Sequence, residues 1–264
     1  MSKHEYLTIE EMESYHPGSD LVNIIESYRK RENISPSKMN ILDWGCGRGE
    51  TVLWLRWQGY NAFGIDIDPE PINNGLPIFV NYGYPNNILS LIGKNNKTDI
   101  QNDQFHFVFS NQVIEHVKDI GTFLYEIWRI TKVGGIGLHI FPARRHLIEA
   151  HLKMPFIHWL PKNIIRKSII YIFILLKIDP NWEELNGQPI KRKADHYYNY
   201  SISKTFYRSN SELKKLFQAN GFECSNKIWF DNKHNNILFF IGTTLKNLFL
   251  TTKLRVRKIK INNV

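Results

Sequence analysis

The decapeptide Ile41-Leu42-Asp43-Trp44-Gly45-Cys46-Gly47-Arg48-Gly49-Glu50 constrains the fold of this chain more than any other stretch. A short apolar run closes on an acid and passes into three glycines at alternate positions, Gly45, Gly47 and Gly49. Such a run reads as a buried strand entering a tight turn. Glycine takes φ > 0 at little cost there and lets a ligand lie against bare backbone. The spacing is G-x-G-x-G. The dinucleotide fingerprint is G-x-G-x-x-G, whose last glycine packs a helix against the strand. The loop is therefore of nucleotide-binding type, and its register argues against a nicotinamide dinucleotide.

The segments that follow repeat one alternation. Residues 39–42 read as the first strand, 51–58 as a helix ended by Gly59, and 62–67 as a second strand. Residues 69–103 are rich in Asn, Pro and Gly and predict only a short helix and a weak strand. Residues 105–110 form a clear strand, and 120–131 a helix capped by Asp119. Gly134–Gly135 stop that helix, and 136–141 return as a strand. Ahead of all this, Asp20 reads as the cap of a helix carrying Leu21, Ile24, Ile25 and Tyr28 on one face. Alternation at this spacing predicts an α/β fold, a doubly wound and mostly parallel sheet covered on both faces. The organisation expected is an N-terminal helical preface (1–38), a core (39–142), an inserted helical lid (143–200), a C-terminal part of the core (201–252) and a basic tail (253–264). Within the C-terminal part, Ser209-x-x-Glu212 reads as a capping box, and 222–230 with 237–241 as a closing strand pair.

Composition bounds the function. The chain has 264 residues and a net charge of +9. A basic surface suits nucleic acid, anionic lipid or a phosphate-bearing substrate. The basic residues are scattered and no nucleic-acid-binding module is recognised, so nucleic acid is not expected as a partner. Two cysteines, Cys46 and Cys224, cannot build a disulfide framework or a cysteine zinc site, and no metal ligand set is read. A cytoplasmic setting is the default for so few thiols. The polar, acidic N-terminus does not read as a signal peptide. The longest apolar run, 169–176, is far short of the roughly 20 residues of a membrane span. Residues 164–178 with their basic flanks, and the basic tail, are candidates for peripheral contact at the inner face of the cytoplasmic membrane.

Four segments in order resemble the class I S-adenosylmethionine-dependent methyltransferases: residues 42–49, the acid-ended strand Gly64-Ile65-Asp66-Ile67-Asp68, the run 105–117, and 126–135. The resemblance covers roughly residues 39–142 and implies the Rossmann-like fold of that family, with S-adenosylmethionine as cofactor. It places Asp43, Gly45, Cys46, Gly47, Gly49, Asp66, Ile67, Asn111 and Gln112 around the cofactor. Physical chemistry agrees: the cofactor has ribose hydroxyls and no phosphate, and a carboxylate such as Asp66 accepts two hydroxyl hydrogens well. Less specifically, 141–145, 149–151, 154–161 and 207–209 resemble a bacterial subgroup associated with cell-surface polysaccharide and glycolipid synthesis, although Ala150 stands where that subgroup has Pro.

That resemblance implies O-methylation of a sugar in a surface glycan or its lipid-linked precursor. The alternatives are methylation of a quinone or lipid small molecule, and a non-catalytic cofactor-binding partner in a glycan-assembly complex. An acceptor hydroxyl loses its proton, so a general base is expected. His151 is the first candidate and His116 the second, with Glu149 orienting either; packing roles for these histidines are equally open. Arg144, Arg145, His158, Trp159 and Tyr198 are the expected acceptor contacts, through phosphate or carboxylate pairing and stacking on sugar faces.

Overall fold

A computed structural model describes residues 8–93, 96–142, 144–225 and 252–259. At its centre is a seven-stranded sheet ordered β3-β2-β1-β4-β5-β7-β6. The strands are β1 (Asn40–Trp44), β2 (Asn61–Asp66), β3 (Leu89–Leu91), β4 (Phe105–Asn111), β5 (Thr131–Phe141), β6 (Phe222–Ser225) and β7 (Thr252–Lys258). The first five pair in parallel; β7 runs antiparallel to both β5 and β6. Helices α3 (Glu50–Trp57), α4 (Pro69–Asn81), α5 (Ile120–Ile130) and α8 (Asn210–Ala219) follow the strands, and α1 (Ile9–Ser14) and α2 (Ser19–Arg31) precede them. Chain order reverses between β1 and β4. In open α/β sheets, ligands bind beyond the carboxyl ends of the strands at such a point.

Burial on both faces explains why β1 reads as a continuous apolar run rather than an alternating one. Ile41 points to one layer with Val52, Leu53, Phe107 and Leu138. Leu42 and Trp44 point to the other with Val108, Phe123, Ile127 and Phe217. The α5 start is as expected, with Asp119 accepting the Thr122 N–H at 3.2 Å. The capping box also forms: Ser209 Oγ accepts the Glu212 N–H at 3.1 Å.

Four expectations need correction. The Pro- and Asn-rich stretch holds a full thirteen-residue helix, α4, entered through Asp68 and carrying Pro77 inside it. Its prolines mask a helical period that buries Ile72, Gly75, Ile78 and Phe79. Strand β5 starts at Thr131, directly after α5; Gly134 sits at φ +79° within an irregularity where Phe105 pairs Thr131 and Phe107 already pairs Ile136. Asp20 is not the cap of α2, which begins one residue earlier after Gly18; its carboxylate pairs with Lys253 Nζ instead.

The fourth correction concerns the tail. Residues 252–258 are a strand with Leu254 and Val256 fully buried. Lys258 Nζ donates to the Thr131 carbonyl at 2.8 Å, pairs with Asp103 at 2.7 Å and lies 4.1 Å from the Trp128 ring. The basic residues with interleaved aliphatics are thus a sheet strand and not a free membrane-binding tail. Strand β6 takes β7 as its partner, while the expected partner strand at 237–241 lies outside the described residues.

Between β5 and α8 the chain inserts α6 (Ile164–Leu175), α7 (Ile190–Ser203) and short helical turns. The insertion has its own apolar cluster, with Leu152, Met154, Ile157, Ile170, Leu185 and Tyr197 at its centre. Each such side chain contributes roughly 1.5–3 kcal/mol when fully buried. Among the described residues, no helix is long and apolar enough to cross a membrane.

Candidate functional site

The glycine loop is stitched to the end of β2. Gly45 and Cys46 donate their N–H groups to the Ile65 carbonyl at 2.7 and 3.0 Å. Gly47 N–H reaches Asp66 Oδ2 at 2.8 Å, and Asp68 N–H reaches Oδ1 at 3.0 Å. A carboxylate offers about four acceptor sites, so Asp66 keeps capacity for a diol. Gly45, Gly47 and Gly49 all lie at positive φ, +84°, +56° and +87°. A Cβ at Gly47 would meet no protein atom within 4 Å, so that side of the loop is open to a ligand. Ile67, 68% exposed, leaves an apolar surface beside Asp66.

Helix α4 presses on the loop from behind. A Cβ at Gly75 would lie 1.9 Å from the Arg48 carbonyl oxygen, which is backbone and cannot swing aside. Gly75→Ala should therefore lower stability. The helix gains about 1 kcal/mol from alanine, but overpacking costs typically 1–3 kcal/mol and displaces the loop. Thermal denaturation of the variant, with and without cofactor, checks both effects; an unchanged Tm would show that α4 yields freely.

Beyond the loop is a cavity of about 360 Å³ lined by Asp43, Gly45, Cys46, Asn111, Ile140 and also by Tyr15, Thr51 and Lys253. Burial, with Asp66 and Glu50 nearby, holds the Asp43 carboxyl well above the ordinary range. Burial likewise pushes the Cys46 thiol up, which leaves it unreactive and its backbone as the useful part. Tyr15 and Thr51 hydroxyls bond at 2.5 Å, and Arg48 pairs with Glu11 at 3.1 Å and Glu50 at 2.8 Å. The N-terminal preface therefore walls this cavity, which the sequence does not reveal because the loop and preface meet only in three dimensions. Gln112 stands next to Asn111 with φ +58° and its N–H on the Ile140 carbonyl, outside the cavity lining.

A second group sits where the insertion meets the turn after β4. The rings of His116 and His151 are 4.7 Å apart, and His151 Nε2 lies 3.9 Å from Glu115 Oε1. Glu115 is 2% exposed, and both its oxygens, like His151 Nε2, are buried without a hydrogen-bond partner among the described residues. Burial pushes the Glu115 carboxyl up to about 8 and His151 down to about 4, with Glu149 and His116 respectively adding to each shift. One donor atom from each of Glu115, His116 and His151 falls within 4.8 Å, close enough to share a proton or a cation. The sequence marks Glu115 only as part of the run 105–117, because its partner His151 arrives from the insertion.

Glu149 does not face either ring. Its carboxylate accepts the His151 N–H at 2.8 Å, the Leu152 N–H and the Tyr207 hydroxyl, so it holds the His151 backbone. His116 is oriented by the Lys204 carbonyl, 2.7 Å from its Nδ1. Arg144, His158 and Trp159 come together in a further cavity, which Arg145 and Tyr198 do not line. Tyr198 donates to the Lys162 carbonyl at 3.3 Å instead. The His158 ring packs 5.0 Å from Tyr207, and burial holds it down at about 4. His139 is also wholly buried, bonded to Ser110 at 2.8 Å and held at about 3, a neutral packing residue of the sheet.

Comparison with known proteins bears on the family and the fold. Residues 23–227 match a family described as a methyltransferase domain. A ubiquinone biosynthesis O-methyltransferase of Rickettsia bellii is 31% identical over 144 residues, 53% of this chain and 58% of the relative. A norajmaline N-methyltransferase of Rauvolfia serpentina is 30% identical over 115 residues, 42% of this chain and 39% of the relative. The chain spans a little over half the length of the ubiquinone-named relatives it matches. Among solved structures, an S-adenosylmethionine-dependent methyltransferase from Mesorhizobium loti superposes with a TM-score of 0.52 at 12% identity, covering 94% of this chain and 100% of the other. At that identity the likeness concerns the fold. With the glycine loop, the acid at the end of β2 and the strand order in place, the chain belongs to the class I S-adenosylmethionine-dependent methyltransferases.

Proposed function

We propose that the protein transfers the methyl group of S-adenosylmethionine to a hydroxyl of a sugar, in a surface glycan or its lipid-linked precursor. The observation that carries the hydroxyl reading is the buried, unpartnered Glu115 carboxyl 3.9 Å from His151 Nε2. S-adenosylmethionine supplies a methyl already activated on a sulfonium. The protein's task is then to position donor and acceptor and exclude water. Asp66 holds the ribose, and the bare loop backbone admits the methionine end. Transfer to oxygen also requires a group that takes the hydroxyl proton. His151 Nε2 is that group, and ionised Glu115 stabilises the imidazolium so formed. Glu149 positions His151 through its backbone N–H.

The sugar reading is supported by an insertion that brings Trp159 and Phe156, 43% and 47% exposed, beside a basic cavity. Exposed Ile164, Ile165, Ile172 and Leu175 on α6, with Lys167 among them, support contact with a lipid surface where a lipid-linked acceptor resides. A second reading, a quinone or lipid small molecule as acceptor, is favoured by the names of the curated relatives. Vesicles carrying either a lipid-linked sugar or a prenylated catechol, offered with methyl-labelled S-adenosylmethionine, separate them. Label on a sugar oxygen is expected. Label on the catechol alone would transfer the assignment to the quinone class.

The pair also predicts a pH profile. With Glu115 raised to about 8 and His151 lowered to about 4, the pair holds one proton at neutrality, on the carboxyl. The competent base has Glu115 ionised, so kcat/KM should rise as pH passes through about 8. Glu115→Gln should be slower and lack that limb. A wild-type profile flat from pH 7 to 9 would remove the pair from the mechanism.

A further inference from the structure

We propose that the cavity walled by the insertion, about 440 Å³ and lined by Arg144, His158, Trp159, Lys162, Arg166 and Tyr207, binds a phosphate group carried by the methyl acceptor. That the phosphate belongs to the methyl acceptor rests on the proposed transferase function; the anion site itself rests on the cavity and its cations.

Arg166, on α6, is 4% exposed. Its guanidinium donates to the carbonyls of Ser201 and His158, both at 3.4 Å, and of Leu160. Its Nε is buried with no partner among the described residues. Lys162 Nζ donates to the carbonyls of Ile202 at 3.1 Å and Thr205 at 3.0 Å. These carbonyls satisfy N–H groups but carry no net charge. Among the described residues, no carboxylate lies within 4.0 Å of either cation, whereas neighbouring Lys167 pairs with Asp195 of α7. Two cations stand in one wall, one of them 4% exposed, and the Glu149 carboxylate acts on Arg166 only from beyond ion-pair distance, so positive charge is left that an anion would balance. Burial lowers the affinity of each for its proton and Arg166 lowers that of Lys162 further, while Tyr198 and the Glu149 carboxylate offset part of the effect at Arg166.

A bound anion balances that charge. The cavity is of the size that takes a small ligand, and a guanidinium fork with an ammonium beside it matches the oxygens of a phosphate. Arg144, exposed at the mouth, brings the local charge to a value that a dianion balances better than a carboxylate. The cavity also adjoins the reacting end, because Tyr207 lines it and donates to Glu149, which holds His151. Phosphate held here would fix a sugar phosphate against His151.

The test uses the full chain and inorganic pyrophosphate, with acetate and chloride at matched ionic strength, read by calorimetry and thermal shift. Saturable pyrophosphate binding at one site is expected, with a rise in Tm that acetate does not produce. Lys162→Gln, whose side chain is exposed enough to spare folding, should weaken pyrophosphate at least tenfold, and Arg166→Gln further if it folds. Affinity for S-adenosylmethionine should not change in either. Equal binding of acetate, or undiminished pyrophosphate binding by Lys162→Gln, would overturn the site. Loss of methyl transfer to every hydroxyl acceptor, with pyrophosphate binding intact, would instead overturn the acceptor assignment and leave the anion site standing.

Discussion

Asp66→Ala should weaken S-adenosylmethionine binding by roughly 10²–10⁴-fold. Hydrogen bonds to a charged group contribute about 1.5–3 kcal/mol each, two ribose hydroxyls are at stake, and each 1.4 kcal/mol is tenfold. The substitution also frees the Gly47 N–H, which Asp66 Oδ2 holds at 2.8 Å, so the loop loses an anchor as well as the ligand. Asp66→Asn, isosteric but uncharged, should fall between the two. Calorimetry with S-adenosylmethionine measures both, and the Tm of the apo variants separates a lost contact from a lost fold. Binding by Asp66→Ala within threefold of wild type would mean that the ribose is held elsewhere.

His151→Ala should leave cofactor affinity unchanged and lower kcat by about 10²–10⁴, the range general-base catalysis contributes. The prediction differs from a packing role in its split: a residue that merely shapes the insertion would change KM for the acceptor and the Tm, with kcat at saturation preserved. His116→Ala should cost less, because the His116 ring is exposed and tied to the Lys204 carbonyl, while His151 faces the buried Glu115. Full turnover by His151→Ala on an authentic acceptor would remove it as the base.

The cofactor half of the site is legible in the sequence because it is local. Strand β1, the glycine loop and Asp66 are set by residues a few positions apart, and a turn that must pass through positive φ at Gly45, Gly47 and Gly49 leaves few alternatives. Helix α4 is not legible: Pro71, Pro77 and Gly75 weaken every local signal for a helix, and only packing of Ile72, Ile78 and Phe79 on the sheet outweighs them. The strand 252–258 reads as a charged tail because Arg255 and Lys258 interrupt its apolar residues. The charge of Lys258 becomes tolerable inside only once Asp103 and the Thr131 carbonyl are brought to it.

By itself the sequence determined the fold class, the family and the cofactor, since each rests on short-range patterns of strand, glycine and acid. Tertiary structure alone decided how the residues expected at the acceptor side are arranged. It placed His151 of the insertion against Glu115 of the core, turned Glu149 from the rings to the backbone, closed the cofactor cavity with Tyr15, and set Lys162 beside Arg166. The physical reason is burial and long-range contact: the fold raises the Glu115 carboxyl toward neutral pH by removing water from it, and it sets Lys162 and Arg166 in one cavity wall, and no spacing along the chain records either.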